Sequence, residues 1–470
     1  MAIRRKLFFT DTLSGNKREF VPMEKDQVKI YSCGPTVYDY AHIGNFRNFV
    51  FVDVLRRSLK LFGYVVTHVM NITDVDDKII RDAKKEGVST DVLAKRYTDA
   101  FFEDCRFLRL EPVEYNPKAT EHINEMVDLV KRLIDAGMTY EVDGSIYFRI
   151  SKFKDYGKLS KIDLDRTQAG LRIDSDEYDK EDVRDFVLWK AYKEGEPFWD
   201  VPVGKGRPGW HLECSAMSAK YLGRTFDIHT GAEDLIFPHH ENEIAQSEAA
   251  FGQTFVRYWL HCAFLNMKTQ KMSKSLGNIV TVHNLAKTGV NPLAVRYFLL
   301  SVHYRKPLIF SDEAIDAAGS AVDRLRNFYR RLSEISQLEN KSANVQITSI
   351  VSKCREDFLD GLADDLNTAK SLGAVFEMVR QVNPLIESQD LTSDQAKEVI
   401  SLLQMTNKIL DILDDPQDVI SEEIETLIEK RQEARKQKNF AMADKLRDEL
   451  LSKGVVLEDT REGVRWYRKQ

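Results

Sequence analysis

A parallel α/β sheet of Rossmann type, split by an insertion and followed by a helical bundle and a small mixed α/β C-terminal domain, is the fold class this sequence predicts. Three observations predict it. An apolar run over residues 28–31 leads into Phe46, Phe49, Val50, Val54, Leu55 and Leu59 at near-helical spacing, and residues 64–69 then alternate. Strand, helix, strand in that order is a βαβ unit, which builds a parallel sheet with a ligand crevice at the strands' C-terminal ends. Apolar runs at 226–229 and 256–264 resume the strand pattern after a long interval, and from Asp312 onward helical periods dominate.

Each element follows from local chemistry. The first strand ends at Cys33 and a helix begins near Gly44, so Cys33, His42 and Thr73 all fall at strand C-terminal ends. After Asn116-Pro117 the texture changes to a helix over 121–136, a hairpin-like stretch over 140–156 and a polar stretch over 163–184. A helix is expected over 210–221. Another opens at 237–243 with Pro238 near its first turn, where a missing N–H is tolerated. Asn383-Pro384 and Asp414-Asp415-Pro416 break the helical region. One charged helix over 421–453 then precedes a short strand pair around Val455-Val456-Leu457 and Gly463-Val464-Arg465-Trp466. The division that results is a nucleotide fold at 1–115 and 196–265 split by an insertion at 116–195. A junction at 266–311, a helical bundle at 312–415 and a C-terminal domain at 416–470 follow.

At 470 residues and 43% hydrophobic, the chain can bury a large core spread over several domains. A charged fraction of 30% with net charge −6 disfavours a polyanion in bulk, so any RNA contact must be local. The tail is such a locality: residues 430–470 hold 12 lysines and arginines against 7 acidic residues, a net of +5. The apolar run Leu7-Phe8-Phe9 is too short for a signal peptide and no stretch approaches a membrane span, so a cytoplasmic protein is expected. Five scattered cysteines are an odd number and do not form a disulfide framework.

Two segments carry phosphate chemistry. His42-Ile43-Gly44-Asn45 sits at the predicted strand-to-helix turn, where Gly44 admits a ligand to the backbone and the helix start turns N–H groups and a positive dipole end toward an anion. Lys271-Met272-Ser273-Lys274-Ser275 offers two lysines and two hydroxyls in five residues, a cationic clamp for phosphates. Breaking the α–β bond of ATP builds charge on phosphorus and departing pyrophosphate, and donors aimed at that charge lower the barrier. In this order the two segments resemble the signatures of class I aminoacyl-tRNA synthetases. The resemblance assigns ATP contacts to His42, Gly44, Asn45 and Lys274, with Lys271 beside them. His42 takes the main role and Asn45 a lesser one, since a second histidine usually stands at that position. Phe46 and Asn48 also depart from the usual small residue and proline, with little effect expected because the helix there faces its own core.

A metal constellation follows from spacing. His239 and Glu243 are four apart on a predicted helix and so share one face, as two ligands of one ion must. Cys33 ends the first strand and Cys214 lies early in another helix. Two thiolates, an imidazole and a carboxylate suit Zn²⁺. A lone cysteine is more often a small buried hydrophobe; what favours ligation is that Cys33 and the His-x-x-x-Glu pair should converge on one crevice rim.

Longer motifs narrow the resemblance. Cys33-Gly34-Pro35-Thr36-Val37-Tyr38-Asp39, Asn71-Ile72-Thr73-Asp74-Val75-Asp76-Asp77-Lys78, and Gly209-Trp210-His211-Leu212-Glu213-Cys214-Ser215 look like signatures of cysteinyl-tRNA synthetases. So do His239 through Glu243, Lys271 through Asn278, and the tail's Ala443-Asp444 with Trp466. The similarity runs over essentially the whole chain. It implies that L-cysteine is activated with ATP and transferred to the 3′-terminal adenosine of tRNA(Cys), with zinc on Cys33, Cys214, His239 and Glu243 selecting the substrate thiolate. It also implies Thr73 and Trp210 in the substrate pocket, and anticodon contacts from Arg431, Arg461, Arg465 and Trp466. A magnesium ion with ATP is expected from the chemistry, and a monomer from the family.

Zinc prefers thiolate to a neutral hydroxyl, so cysteine is separated from serine by one bond and no proofreading domain is needed. Four protein ligands describe a closed site, which a fifth bond or loosening of Glu243 opens. Residues 231–234 border the adenosine, and His229 is a further nucleotide candidate. Cys105, Cys262 and Cys354 read as buried thiols. Two rivals stand against this reading. One is a ligase joining cysteine to a small amine, which in its known relatives lacks an anticodon-binding end. The other is a silent RNA-binding paralogue, disfavoured by intact His42, Lys271, Lys274 and all four metal-ligand candidates.

Overall fold

The computed structural model describes residues 4–162, 184–267, 280–339, 347–414, 422–437, 439–453, 455–460 and 463–468. Lys271, Lys274 and Arg461 lie outside the described residues. The chain divides into two compact units: Met1–Asn284 with Phe298–Ile315 and Glu356–Ala374, and Leu285–Tyr297 with Asp316–Arg355 and Val375–Gln470.

In the first unit β1 (Phe8–Asp11) and β2 (Asn16–Glu19) pair antiparallel. β3 (Gln27–Ser32), α1 (Ile43–Leu61) and β4 (Val65–Met70) form the parallel βαβ unit read from the sequence, with Gln27 opposite Val65 and Ser32 opposite Met70. Helix α1 is buried without a break from Phe46 to Leu59. Two of its buried arginines carry partners: Arg47 Nη1 donates to the Ala263 carbonyl at 2.9 Å and Arg57 Nε to Asp53 at 2.9 Å. Asn48 is a difference from expectation. It is buried, yet it lines the cleft described below rather than an interior core.

Helices α2 (Asp77–Glu86), α3 (Thr90–Phe107) and α4 (Ile123–Asp135) come next. The insertion then contributes an antiparallel sheet of β5 (Thr139–Val142), β6 (Ser145–Phe148), β7 (Phe186–Ala191), β8 (Trp199–Val201) and β9 (Gly204–Pro208), in the order β5-β6-β7-β9-β8. Its strands run past residue 195, where the sequence pattern ends the insertion. The reason is local: β8 and β9 are short and polar, with glycines at 204 and 206, and read as loop.

After α5 (Trp210–Leu222), strand β10 (Phe226–Ala232), α6 (Glu241–Phe251) and β11 (Val256–Cys262) complete the central sheet. All its neighbours are parallel and its order is β11-β10-β3-β4. Connections leave the adjacent strands β3 and β10 in opposite directions, so a crevice opens between their C-terminal ends. The helix expected from 237 begins as a distorted turn over Ile236–His240 with Phe237 extended (φ −138°, ψ 131°), and α6 proper starts at Glu241. A residue before proline is driven out of helical geometry, which is why. A parallel pair, β12 (Leu265–Met267) and β13 (Leu308–Phe310), and helices α7 (Val282–Lys287) and α8 (Pro292–Leu300) follow.

The remaining helices are α9 (Asp312–Ser336), α10 (Thr348–Ala363), α11 (Thr368–Glu387), α12 (Ser393–Leu410), α13 (Glu422–Lys436) and α14 (Phe440–Ser452). Helix α11 runs through Pro384, contrary to the break expected at Asn383-Pro384. Pro384 is exposed near the helix end, so water can take the carbonyl that loses its donor. The single charged helix expected over 421–453 is two. Asn439 caps α14 by accepting from the Met442 amide at 3.2 Å. The turn lets Ile424 and Leu427 meet Leu446, Leu450, Val455 and Leu457 in one core, which a continuous helix would leave in water. Strands β14 (Val455–Thr460) and β15 (Gly463–Arg468) pair antiparallel, with Leu457 opposite Trp466. Among the described residues no helix is long and apolar enough to cross a membrane.

Candidate active site and metal centre

A cleft of about 470 Å³ opens at the C-terminal ends of β3 and β10, lined by Cys33, Tyr40, His42, Asn45, Asn48, Trp210 and Asp234 among others. His42 is the N-cap of α1, and its side chain does the capping. Nδ1 accepts from the Asn45 amide at 3.1 Å, and the Asn45 carboxamide oxygen accepts from the His42 amide at 3.1 Å. The Ile43 amide is engaged by the Val280 carbonyl at 2.9 Å, and among the described residues the Gly44 amide is the first-turn donor not so engaged.

Behind the cleft wall at Cys33 four predicted ligands meet. The ligand atoms of Cys33, Cys214, His239 and Glu243 all lie within 4.8 Å of one another, and all four residues are buried. Cys33 Sγ is 3.9 Å from Cys214 Sγ and 3.7 Å from Glu243 Oε1. His239 Nε2 stands 3.0 Å from Glu243 Oε1, yet it makes no hydrogen bond among the described residues. A buried nitrogen facing a carboxylate at 3.0 Å and two sulfurs in one cluster is what a cation-binding site looks like when read from its donors.

The electrostatics agree. Burial alone would raise the Glu243 carboxyl, but His229 and His239 hold it down at about 2. Burial would lower His239, but Glu243 and Cys214 bring it up to about 10. Burial raises Cys33 well above its usual value, with Cys214 and Glu243 adding to the effect. Cys214 is brought down to about 6 against its burial, chiefly by the contact with Cys33 and then by His239. The cluster thus concentrates negative charge around a proton on His239, a place where a divalent ion is electrostatically favoured.

Residues around the cluster fix its members. His239 Nδ1 is 2.8 Å from His211 Nδ1, and the Trp210 ring stacks on His239 with centroids 4.1 Å apart. His240 Nε2 is 3.3 Å from Cys33 Sγ, and its Nδ1 is 2.8 Å from His261 Nε2. Gly34 and Gly231 make room for this packing. A Cβ on Gly34 would sit 1.6 Å from the Asn71 carbonyl oxygen, and one on Gly231 2.5 Å from the His240 ring.

Several placements depart from the sequence reading. His229, taken as a nucleotide candidate, is fully buried and bonded to Glu243 through Nε2 at 2.9 Å. Its position inside β10 turns it to the metal cluster, and Cys33, His229, His240 and Glu243 form a second group whose ligand atoms lie within 4.8 Å. Thr73 is buried, its hydroxyl donating to Glu213 at 2.7 Å and accepting from Asn71 at 3.2 Å. Burial pushes the Glu213 carboxyl well above the usual range, more than Thr73 lowers it. Sequence reasoning missed the structural parts of Asn71 and Glu213, although both sit inside the quoted motifs. Asn71 Oδ1 accepts from the Gly34 amide at 2.9 Å and lies 3.8 Å from Cys214 Sγ. In the tail Arg431 is only 3% exposed, which places it in packing rather than on a surface that RNA can touch; Arg435 and Arg447 are exposed. Arg465 and Trp466 lie on β15.

Comparison with known proteins adds the family. Residues 19–320 match the tRNA synthetases class I (C) catalytic domain, residues 357–414 the DALR domain, and residues 417–466 the cysteinyl-tRNA ligase anticodon binding domain. The chain is 50% identical to a cysteine–tRNA ligase of Solibacter usitatus over 100% of both chains. It is also 50% identical to one of Leptospira interrogans, over 98% of this chain and 99% of that one. Its fold is similar to that of Mycobacterium tuberculosis methionyl-tRNA synthetase in complex with methionyl-adenylate, with TM-score 0.62 and 18% identity, over 82% of this chain and 90% of that one. By catalytic domain, anticodon domain and full-length identity, the chain belongs to the cysteine–tRNA ligase family of class I aminoacyl-tRNA synthetases.

Proposed function

We propose that this chain activates L-cysteine with ATP to cysteinyl-adenylate and pyrophosphate, then transfers the cysteinyl group to the 3′-terminal adenosine of tRNA(Cys). The observation that carries the reading is the convergence of Cys214, His239 and Glu243 on Cys33, which lines the same cleft as His42 and Asn45. The donor set of two thiols, an imidazole and a carboxylate, all buried and within 4.8 Å of one another, fits a zinc ion held by those four residues. Bound there, zinc supplies a preference for thiolate over hydroxyl. This set is favoured over the one with His229 and His240 because Trp210, a cleft residue, stacks on His239.

The chain's own residues do the rest by positioning and charge. His42, with Nδ1 occupied by the Asn45 amide, offers Nε2–H to the triphosphate, and the Gly44 amide adds a backbone donor. Lys271 and Lys274 clamp the phosphates, and magnesium accompanies ATP. Trp210 covers the substrate side chain. Thr73, with its hydroxyl directed at Glu213, shapes the pocket floor. In this reading residues 1–115 and 196–265 carry activation, 266–311 the junction and 312–415 the bundle. Residues 416–470, with Arg461, Arg465 and Trp466, grip the anticodon. The protein works as a cytoplasmic monomer.

The test is cysteine-dependent exchange of pyrophosphate into ATP, followed by charging of tRNA(Cys). Exchange with cysteine but not serine, and charging of the tRNA, is the expected result. Exchange without charging would point instead to a small-amine acceptor, and no exchange would overturn the reading.

A further inference from the structure

A second cavity, of about 270 Å³, lies against the same strand end and has no part in the chemistry above. Ser32 and Cys33 are successive, so their side chains leave the strand on opposite faces: Cys33 lines the cleft and Ser32 this cavity. Phe49 and Val52 of α1, His68 of β4, and Phe102 and Cys105 of α3 form part of the wall, the stretch from Leu110 to Val113 closes another side, and Phe49 touches both spaces. A cavity of about 150 Å³ already accommodates benzene, so this one admits a substituted ring.

Its polar groups are few and their state is informative. His68 is 3% exposed, and Nε2 is 2.7 Å from Ser32 Oγ. Nδ1 has no hydrogen-bond partner among the described residues. Burial, with Arg56 adding to it, lowers the ring to about 3, so it is neutral. Asp53 and Arg56 in the wall are held in ion pairs, while Arg106 in the wall is exposed to solvent. Arg56 is tied to Glu114 and to the Glu111 carbonyl, and Asp53 to Arg57 at 2.9 Å and the Glu111 amide at 2.9 Å. A largely apolar space whose buried charges are held in ion pairs, and in which His68 Nδ1 and Arg56 Nε are without hydrogen-bond partners among the described residues, favours an uncharged ligand with a single polar group. A hydroxyl suits Nδ1 in either tautomer, because it can donate or accept.

We propose that this cavity is a second small-molecule site for a neutral, single-ring aromatic alcohol whose hydroxyl meets His68 Nδ1, and that its occupancy alters the cysteine cleft through Ser32–Cys33 and Phe49. The coupling half rests on the reading of the cleft given above; the binding half does not.

Phenol and toluene are the probes, titrated calorimetrically against the full chain. Phenol should bind saturably and at least tenfold more tightly than toluene. Val52→Phe and Cys105→Phe fill the space from two different helices, and each should weaken phenol at least tenfold and remove the response of cysteine-dependent exchange to added phenol. Soaked 4-bromophenol should give anomalous density between α1 and α3, a readout that stands even if the filled variants misfold. Equal affinity for toluene, binding untouched by both variants, or bromine density elsewhere would overturn the site. For the coupling, saturating phenol should change the KM for cysteine at least threefold. Binding with an unchanged KM would overturn the coupling alone, whereas absence of exchange in the untreated protein would strike the functional reading and leave the binding result standing.

Discussion

Asn45 and His42 close on each other at the start of α1, each backbone amide donating to the other's side chain at 3.1 Å. The pair does more than cap a helix. With Nδ1 accepting, the neutral imidazole carries its proton on Nε2 and is set as a donor. Asparagine at this position therefore has a contact that its mere departure from the class I pattern does not suggest, and we propose that it orients the histidine.

Asn45→Ala should accordingly act through His42. Losing one side of a reciprocal cap costs about 1 kcal/mol, and a donor misplaced by that energy slows exchange about fivefold. Steady-state exchange with this variant decides the matter. A rate equal to the parent's would mean that Asn45 does not orient His42.

The two overlapping ligand groups behind the cleft wall share Cys33 and Glu243 and differ in the other pair. Cys214→Ser should lower bound zinc and cysteine-dependent exchange together, by at least tenfold in metal affinity. His240→Gln should keep close to one zinc per chain. Full occupancy in the first variant with loss in the second would move the metal to the His229 and His240 side.

Metal affinity should climb with pH, and the sign follows from the protons to be displaced. His239 is raised to about 10 and Cys33 is raised well above its usual value, whereas Cys214 is near 6 and Glu243 near 2. Between neutrality and mild alkalinity the first two still carry protons that zinc must expel, and the last two do not. The logarithm of the zinc association constant should then rise by up to about 2 per pH unit in that window, as the cluster titrates together. Competition with a chelator of known pH dependence measures this, and a flat profile would rule out displacement of either proton.

Lys274 should act on the transition state of adenylate formation. Removing one such charge costs on the order of 3 kcal/mol there, so Lys274→Ala should depress the activation rate far more than it weakens ATP binding. Single-turnover rates alongside the Kd for ATP separate the two, and near-normal activation would exclude the role.

How much of this was legible in the sequence depended on whether a residue's task is local. The βαβ unit over β3, α1 and β4 was readable because apolar periodicity is a local property. The clustering of Cys33, Cys214, His239 and Glu243 was readable because His239 and Glu243 stay a helical turn apart, although Phe237 distorts the approach to α6. His229 was misplaced because nothing in a strand's sequence says which neighbour its side chain will meet, and here it meets Glu243 at 2.9 Å. The break between α13 and α14 was missed for the opposite reason. Charged residues hide two short apolar stripes, and only Asn439 at the turn marks where one helix ends. Arg431 looked like surface because arginine usually is, and burial is a property of the packed pair of helices rather than of the residue.

The packing of α13, α14, β14 and β15 bears on the last prediction. Their buried apolar residues, from Ile424 and Leu427 to Val455 and Leu457, form one cluster confined to this stretch. Deleting the chain after Asp415 should therefore leave the cleft, the metal cluster and cysteine activation largely intact while tRNA charging falls by at least two orders of magnitude. The stretch from 430 to 470 has a net charge of +5 in a chain of net −6, and a positive segment that neutralises phosphates releases their counterions on binding. The tRNA affinity of the full chain should then fall steeply with salt. After deletion the log–log slope should be shallower by about 0.7–0.9 for each phosphate that the tail neutralises. Charging by the truncated protein at the parental rate, or an unchanged salt slope, would assign the tail to packing alone.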